Sequence, residues 1–231
     1  SAWREYGDNP INYSIIGNQQ SSPDNALVEK LVNSVDAVLM RECLRRGIKP
    51  DDKKAPQSIA EAQKEFFGIY NGKLSSIDDR QRTELAKNIL LVATGNKTNP
   101  SFSIIDKGEG QTPKRMPETL LSLTKDNKIK IPFVQGKFGM GGSGALRFCS
   151  SEHKLQLLIS KRDPKIRDDQ DETKDNWGVT VVRRENPKEG MRSSHYTYLA
   201  PDGKILAFIE NKLKLLPGEY PKILEEPLES G

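Results

Sequence analysis

At 231 residues, with 35% hydrophobic and 29% charged side chains, the chain suits one sizeable domain or two small ones and is polar for a globular protein. Its net charge of +4 comes from interspersed acids and bases, which permits a nucleic-acid surface without pointing to one. Apolar runs such as residues 89–93 are far too short to span a bilayer and no signal peptide is visible, so no membrane association is expected.

In chain order, residues 1–21 read as an amino-terminal arm in which residues 11–16 form an edge strand or an extended segment. Residues 22–47 read as a helix with both ends marked. Ser22 caps it, Pro23 suits the first position, Asp24 complements the dipole, and Gly47 stops it after Arg41, Arg45 and Arg46. At about 100° per residue, Val28, Leu31, Val32, Val35, Val38 and Leu39 share a broad apolar arc expected to pack on a sheet. Glu29, Asn33 and Asp36 share a narrow sector, with Ala26, Ala37 and Met40 beside them. Asn is a mediocre mid-helix residue because it competes for backbone hydrogen bonds. A carboxylate, a carboxamide and a second carboxylate on one face suit a hydrated cation, although such triplets also occur by chance.

Residues 48–92 read as a polar linker followed by two amphipathic helices, 58–70 and 77–91, inserted at a sheet edge or beside the first helix. A strand follows at 102–105 and ends in DKGEG, residues 106–110. Residues 111–135, rich in Pro, Lys and Thr, have the composition of a mobile lid. Then GKFGMGGSG, residues 136–144, opens a helix. Residues 154–160 and 177–184 read as strands joined by a charged, solvated hairpin, and 195–199 with 204–209 as a further hairpin around Ala-Pro-Asp-Gly. His153 and His195 stand at strand starts, where a satisfied or exposed imidazole is expected. Cys43 and Cys149 lack metal-ligand spacing and read as reduced, buried thiols, a single bridge being the alternative. Helices mostly first and strands later favour an α+β fold, with helices on one face of a largely antiparallel sheet.

Glycines at 136, 139, 141, 142 and 144 let the backbone approach a ligand, and their amides ahead of a helix form an anion nest suited to a polyphosphate. The loop is neither a Walker loop nor a dinucleotide fingerprint. An Asp closing a strand, as Asp106 does, can accept a hydrogen bond from an exocyclic amine, with the following glycines lying against a flat base. Each of these motifs, read alone, is compatible with an ordinary turn.

In order, EKLVNSVDA, DKGEG and GKFGMGGSG resemble the GHKL superfamily of ATP-binding domains, which includes gyrase B subunits, heat-shock chaperones, MutL and the MORC proteins. The resemblance covers roughly residues 22–184 and is nearest to the MORC- and chaperone-like branch. It implies a two-layer α/β sandwich, the Bergerat fold, with a mixed, mostly antiparallel sheet. It also implies ATP and Mg²⁺. Glu29 becomes the general base, Asn33 the Mg²⁺ ligand, and Asp36 and Ala37 part of the nucleotide face. Asp106 reads the adenine amine, with Gly108, Gly110 and Thr112 around the base. Gly136, Lys137, Phe138, Gly139, Met140, Gly141 and Gly142 wrap the phosphates. Thr180 matches the family's later Thr only approximately, being one residue beyond the place directly after Gly178. Lys128 and Lys130 are further candidates for phosphate contact.

The resemblance further implies an ATPase module of a larger, dimerising protein whose arm swaps across the dimer, with DNA or a client protein as cargo. The chain lacks an initiator Met and its tail has no closing element, so it reads as a piece of a longer protein without its transducer or effector domains, turning ATP over slowly. The expected location is cytoplasmic, or nuclear in a eukaryote. An ATP-responsive switch with incidental hydrolysis, or a protein kinase on the same fold, are the alternatives.

Overall fold

In the computed structural model, which describes residues 1–9, 12–17, 22–123, 130–136, 141–149, 154–166, 170–187, 194–214 and 227–231, the chain begins with strand Trp3–Glu5 (β1). Helix Asn12–Gly17 (α1) follows, where a strand or arm was expected. The spacing explains the difference. Asn12 and Ile16, one helical turn apart, are both fully buried, whereas Tyr13 is 36% exposed. Asn12 Nδ2 donates to the carbonyls of Tyr6 (3.1 Å) and Tyr196 (2.8 Å), and Asn12 Oδ1 accepts from the Tyr196 amide (2.8 Å). The arm therefore folds back on its own chain.

The long helix is Pro23–Arg45 (α2), capped by Ser22, whose side chain accepts from the Asn25 amide, and ended before Gly47 at φ +70°. Its inward face corrects the sequence reading. Val28 and Val35 are 58% and 42% exposed, whereas Ala26, Ser34, Asp36, Val38, Leu39, Met40, Arg41 and Cys43 are buried. The polar sector, not the whole apolar arc, is turned into the protein. Helix Ile59–Phe67 (α3) packs beside α2, burying Ala62 and Phe66 in a cluster with Leu39, Met40, Cys43 and Phe133. Helix Asp79–Ala86 (α4) starts on an Asp78–Gln81 capping box and buries none of its residues. It is shorter than predicted because Ile89–Asn96 (β2) is already a strand, paired antiparallel with Asn99–Asp106 (β3) across a tight turn.

Thr112, Met116, Leu121 and Leu123, in the segment expected as a lid, are packed in the interior, as are Phe133 and Val134. Gly141–Gly144 (α5), the short helix after the Gly-rich loop, packs against α2. The larger sheet contains Gln156–Ser160 (β4), Trp177–Glu185 (β5), His195–Leu199 (β6) and Leu206–Phe208 (β7) in the order β1-β6-β5-β4. β6 and β7 do not form the predicted hairpin. Both pair antiparallel with β5, β6 at Val182–Glu185 and β7 at Trp177–Val179, so the Ala-Pro-Asp-Gly segment is an excursion within one interrupted edge. Among the described residues every strand pair is antiparallel, which makes the fold α+β. No described helix is long and apolar enough to cross a membrane.

His195 is 1% exposed, neither ring nitrogen has a hydrogen-bond partner, and Glu5 and Glu185 stand 3.6 Å from Nε2. This differs from the satisfied or exposed imidazole expected there. His153 lies outside the described residues. Both cysteines are free thiols.

Replacing Asn12 by Ala removes the donor to the buried Tyr196 carbonyl and the acceptor of its amide, and takes one of two donors from the Tyr6 carbonyl. The expected loss is about 2–4 kcal/mol of unfolding free energy in urea denaturation.

Candidate functional site

Asp36 is 1% exposed and takes two backbone amides. Gln135 N–H donates at 3.0 Å and Gly136 N–H at 2.8 Å. A carboxylate accepting backbone amides makes the stronger kind of hydrogen bond, so this contact pins the start of the Gly-rich segment to α2. Any residue larger than glycine at 136 has to displace the Asn33 carboxamide. A Cβ there would lie 2.5 Å from Asn33 Oδ1 and 3.1 Å from Asp36 Oδ2. Glu29 and Asn33, partly buried, stand on the same sector. Among the described residues, none hydrogen-bonds the Asn33 carboxamide.

The second motif meets the same helix. Ser34 Oγ donates to Asp106 Oδ2 at 2.9 Å, and Gly108 N–H donates to Asp106 Oδ1 at 3.0 Å. Glu109 N–H donates to the Ala37 carbonyl at 3.1 Å. A Cβ on Gly108 would lie 2.5 Å from Ala37 Cβ, so these two small residues are matched at the helix–loop crossing. Gly110, at φ +61°, packs on backbone: a Cβ there would fall 1.7 Å from the Lys161 carbonyl oxygen. Thr112 is buried with its hydroxyl donated to Asp171, and Thr180 is buried with its hydroxyl donated to the Leu199 carbonyl at 2.8 Å. The structure thus brings Asn33, Asp36, Ala37, Asp106, Gly108 and Gly136 together. The hydroxyls of Thr112 and Thr180 are engaged elsewhere.

An ionic frame stands behind this face. Arg162 pairs with Glu109 at 2.7 Å, Arg45 pairs with Asp163 at 2.6 Å, and Arg41 donates to the Lys107 carbonyl. Asp163 N–H donates to the Glu109 carbonyl at 3.0 Å. Lys161, Arg162, Asp163 and Asp171 are all less than 8% exposed. The charge run between β4 and β5 is therefore not wholly a solvated hairpin, as its composition suggested. Each of these buried charges has a partner, without which burial would be prohibitive: Arg162 has Glu109, Asp163 has Arg45, Lys161 donates to the Glu210 carbonyl and Asp171 accepts from Thr112. Residues 227–231 join the frame: Gly231 and Lys161 exchange backbone hydrogen bonds, and Ser160 Oγ donates to the Gly231 carbonyl while accepting from the Gln111 amide.

Lys137, Phe138, Gly139 and Met140, together with Lys128, lie outside the described residues, and Lys130 is exposed. Gly141 and Gly142 begin α5, which packs against α2. Sequence reasoning passed over Ser34 and the Glu109–Arg162 pair. Ser34 follows Asn33 directly and falls on the inward side of the helical wheel, which was a usable signal. An ion pair spanning more than fifty residues leaves none. A separate open cleft of about 400 Å³, lined by Lys114, Arg115, Glu118, Gln170 and Asp171, contains none of the α2 residues.

No family model, curated protein or solved structure matches this chain. What bears on function is the convergence of the motifs themselves.

Replacing Asp36 by Ala removes a buried carboxylate that accepts from two part-buried amides. The expected outcome is a loss of about 2–4 kcal/mol in stability, with faster amide exchange at Gln135 and Gly136.

Proposed function

We propose that the chain is a Mg²⁺-dependent, ATP-binding and ATP-hydrolysing module of the GHKL type, built on the two-layer Bergerat sandwich. The observation that carries this reading is the meeting of three motifs, far apart in sequence, on one face of α2. Asp106 reaches it through Ser34, and Gly136 reaches it through Asp36.

Ser34 and Gly108 donate to the two oxygens of Asp106, and in this reading the same carboxylate accepts from an exocyclic amine. Ser34 fixes its rotamer, and Gly108 leaves the approach free of a side chain. In this reading Gly110 backs the base site through its packing on Lys161 rather than touching the base. The phosphates belong at the Gly136 end of the helix face, where Asp36 sets the direction in which the Gly-rich segment leaves. Glu29, a turn before Asn33, takes the proton of a water that attacks the terminal phosphorus, releasing ADP and phosphate. A positioned base of this kind supplies roughly 10²–10⁴-fold in rate.

The residues fit a magnesium ion: the Asn33 carboxamide has no described partner and faces a glycine, and Mg²⁺ sites commonly use few protein oxygens plus phosphate oxygens. Asn33 would hold the ion, which when bound neutralises charge on the phosphates. Dimerisation, a DNA or client-protein cargo, and completion of the site by a following domain are parts of the same proposal.

Isothermal titration with Mg²⁺ and a non-hydrolysable ATP analogue tests it. The wild type is expected to bind and Asp106→Asn to lose at least about tenfold in affinity. Glu29→Ala is expected to keep binding while phosphate release falls by roughly 10²–10⁴-fold. Absence of binding by the wild type contradicts the proposal. If the cellular function survives Glu29→Ala, the module acts as an ATP-responsive switch instead.

A further inference from the structure

The ribbon formed by β2 and β3 is a two-stranded sheet of its own. Gly231, which exchanges hydrogen bonds with Lys161 just after β4, also lies against the end of β3. A Cβ on Gly231 would fall 2.1 Å from the Asp106 carbonyl oxygen. β3 is therefore the strand turned toward the larger sheet, and β2 is the outer edge. Among the described residues, β2 pairs with β3 alone.

That edge is unprotected. β1, the outer strand at the opposite end of the larger sheet, is three residues long and carries Arg4 and Glu5. Short length and charge are common means of keeping an edge from pairing with another chain. β2 has neither: ILLVATGN is eight residues without a charged side chain, and β3 has none before Asp106 at its end. The one left-handed residue of β2, Gly95 at φ +83°, sits next to the turn. The cross-strand pairs Leu91–Ile104 and Ala93–Phe102 share a face, on which Leu91 is 41% and Phe102 52% exposed. α2 holds the ribbon at its DKGEG end, whereas residues 95–102 are all exposed. Two-stranded ribbons are marginal without a third strand or a helix to pack on.

We propose that β2 is a self-association edge, on which a second copy of this chain adds its own β2 antiparallel across a two-fold axis. The product is a four-stranded sheet in the order β3-β2-β2-β3. An uncharged strand suits its own copy, because residues facing each other across the axis bring no like charges together. A partner of another kind is commonly selected by complementary charge, and this edge offers none to read. The pairing closes at two copies, since the other edge of the ribbon meets Gly231 at Asp106. Backbone hydrogen bonds hold the ladder, and Leu91, Ala93 and Phe102 of both copies join in one apolar face. The contact needs neither nucleotide nor the amino-terminal arm, and it is distinct from the arm exchange that the resemblance implies.

The test is sedimentation of the chain without nucleotide over a range of protein concentrations, with amide exchange read at the low and high ends. A reversible dimer is expected, with slower exchange in Ile89–Asn96 as concentration rises. The double variant Leu91→Lys, Ala93→Lys puts charge on exposed positions of the edge and is expected to weaken dimerisation at least about tenfold. Its melting temperature at low concentration should match that of the wild-type monomer, which separates an association defect from misfolding. Leu157→Lys, at an exposed position of β4 in the larger sheet, is the control and should dimerise as wild type does. A wild type that stays monomeric overturns the proposal and leaves the edge to a strand of another protein. A dimer that the double variant leaves intact overturns it as well. So does a dimer broken by Leu157→Lys instead, which places the contact on the larger sheet. The nucleotide reading stands or falls separately from all of these outcomes.

Discussion

The carboxylate of Asp36, buried in the middle of a helix and holding the amides of Gln135 and Gly136, is the contact on which the arrangement of this protein depends. A helix carrying an inward-facing carboxylate is stable only if the carboxylate is satisfied, and here the partner is main chain nearly a hundred residues away. That bond fixes where the Gly-rich segment begins. The same approach brings the backbone at Gly136 against the Asn33 side chain, which a larger residue would have to displace. On the other side of the helix face, Ser34 and Ala37 do the same for the DKGEG turn, through a hydroxyl, a carbonyl and a matched pair of small residues.

Turning a polar face inward has consequences for the rest of the fold. Helix α2 leaves Val28 and Val35 in solvent and buries Ser34, Asp36 and Arg41. Apolar packing is concentrated instead toward its carboxyl end, in the cluster with α3 and Phe133. The face is then supported from behind by Arg162–Glu109 and Arg45–Asp163. Removing one member of such a pair leaves an uncompensated charge, commonly a cost of ~3–5 kcal/mol, so the frame rigidly specifies where the DKGEG turn sits. No described residue hydrogen-bonds the Asn33 carboxamide on this face, and the proposed reading gives it the ion.

Local signals were legible in the sequence and long-range pairing was not. Ser22, Pro23 and Gly47 marked α2 because caps act within a few residues. The α+β class and the β3, β4 and β5 strands followed from runs of apolar residues, whereas the start of β2 read as the end of a helix. The apolar arc of α2 misled because a hydrophobic wheel assumes that the buried face is the apolar one, and here Ser34, Asp36 and Arg41 are turned inward on hydrogen-bond partners. The charge run after β4 read as solvated because its partners, Glu109 and Arg45, lie 53 and 118 residues away from Arg162 and Asp163. The β6 and β7 segments read as a hairpin because turn chemistry at Ala-Pro-Asp-Gly does not reveal that both pair with β5. Residues 12–17 were short enough for helix and strand periods to compete, and Asn12's three hydrogen bonds to the Tyr6 and Tyr196 backbones decided for the helix.

The central claim is that nucleotide sits on the inner face of α2. Amide hydrogen exchange, followed with and without Mg²⁺ and a non-hydrolysable ATP analogue, tests it most directly. Added protection is expected in three separated stretches: the turns of α2 around Glu29 to Ala37, the DKGEG turn, and the segment from Gln135 into α5. Protection confined to the cleft lined by Lys114, Arg115 and Asp171, with α2 unchanged, would contradict it.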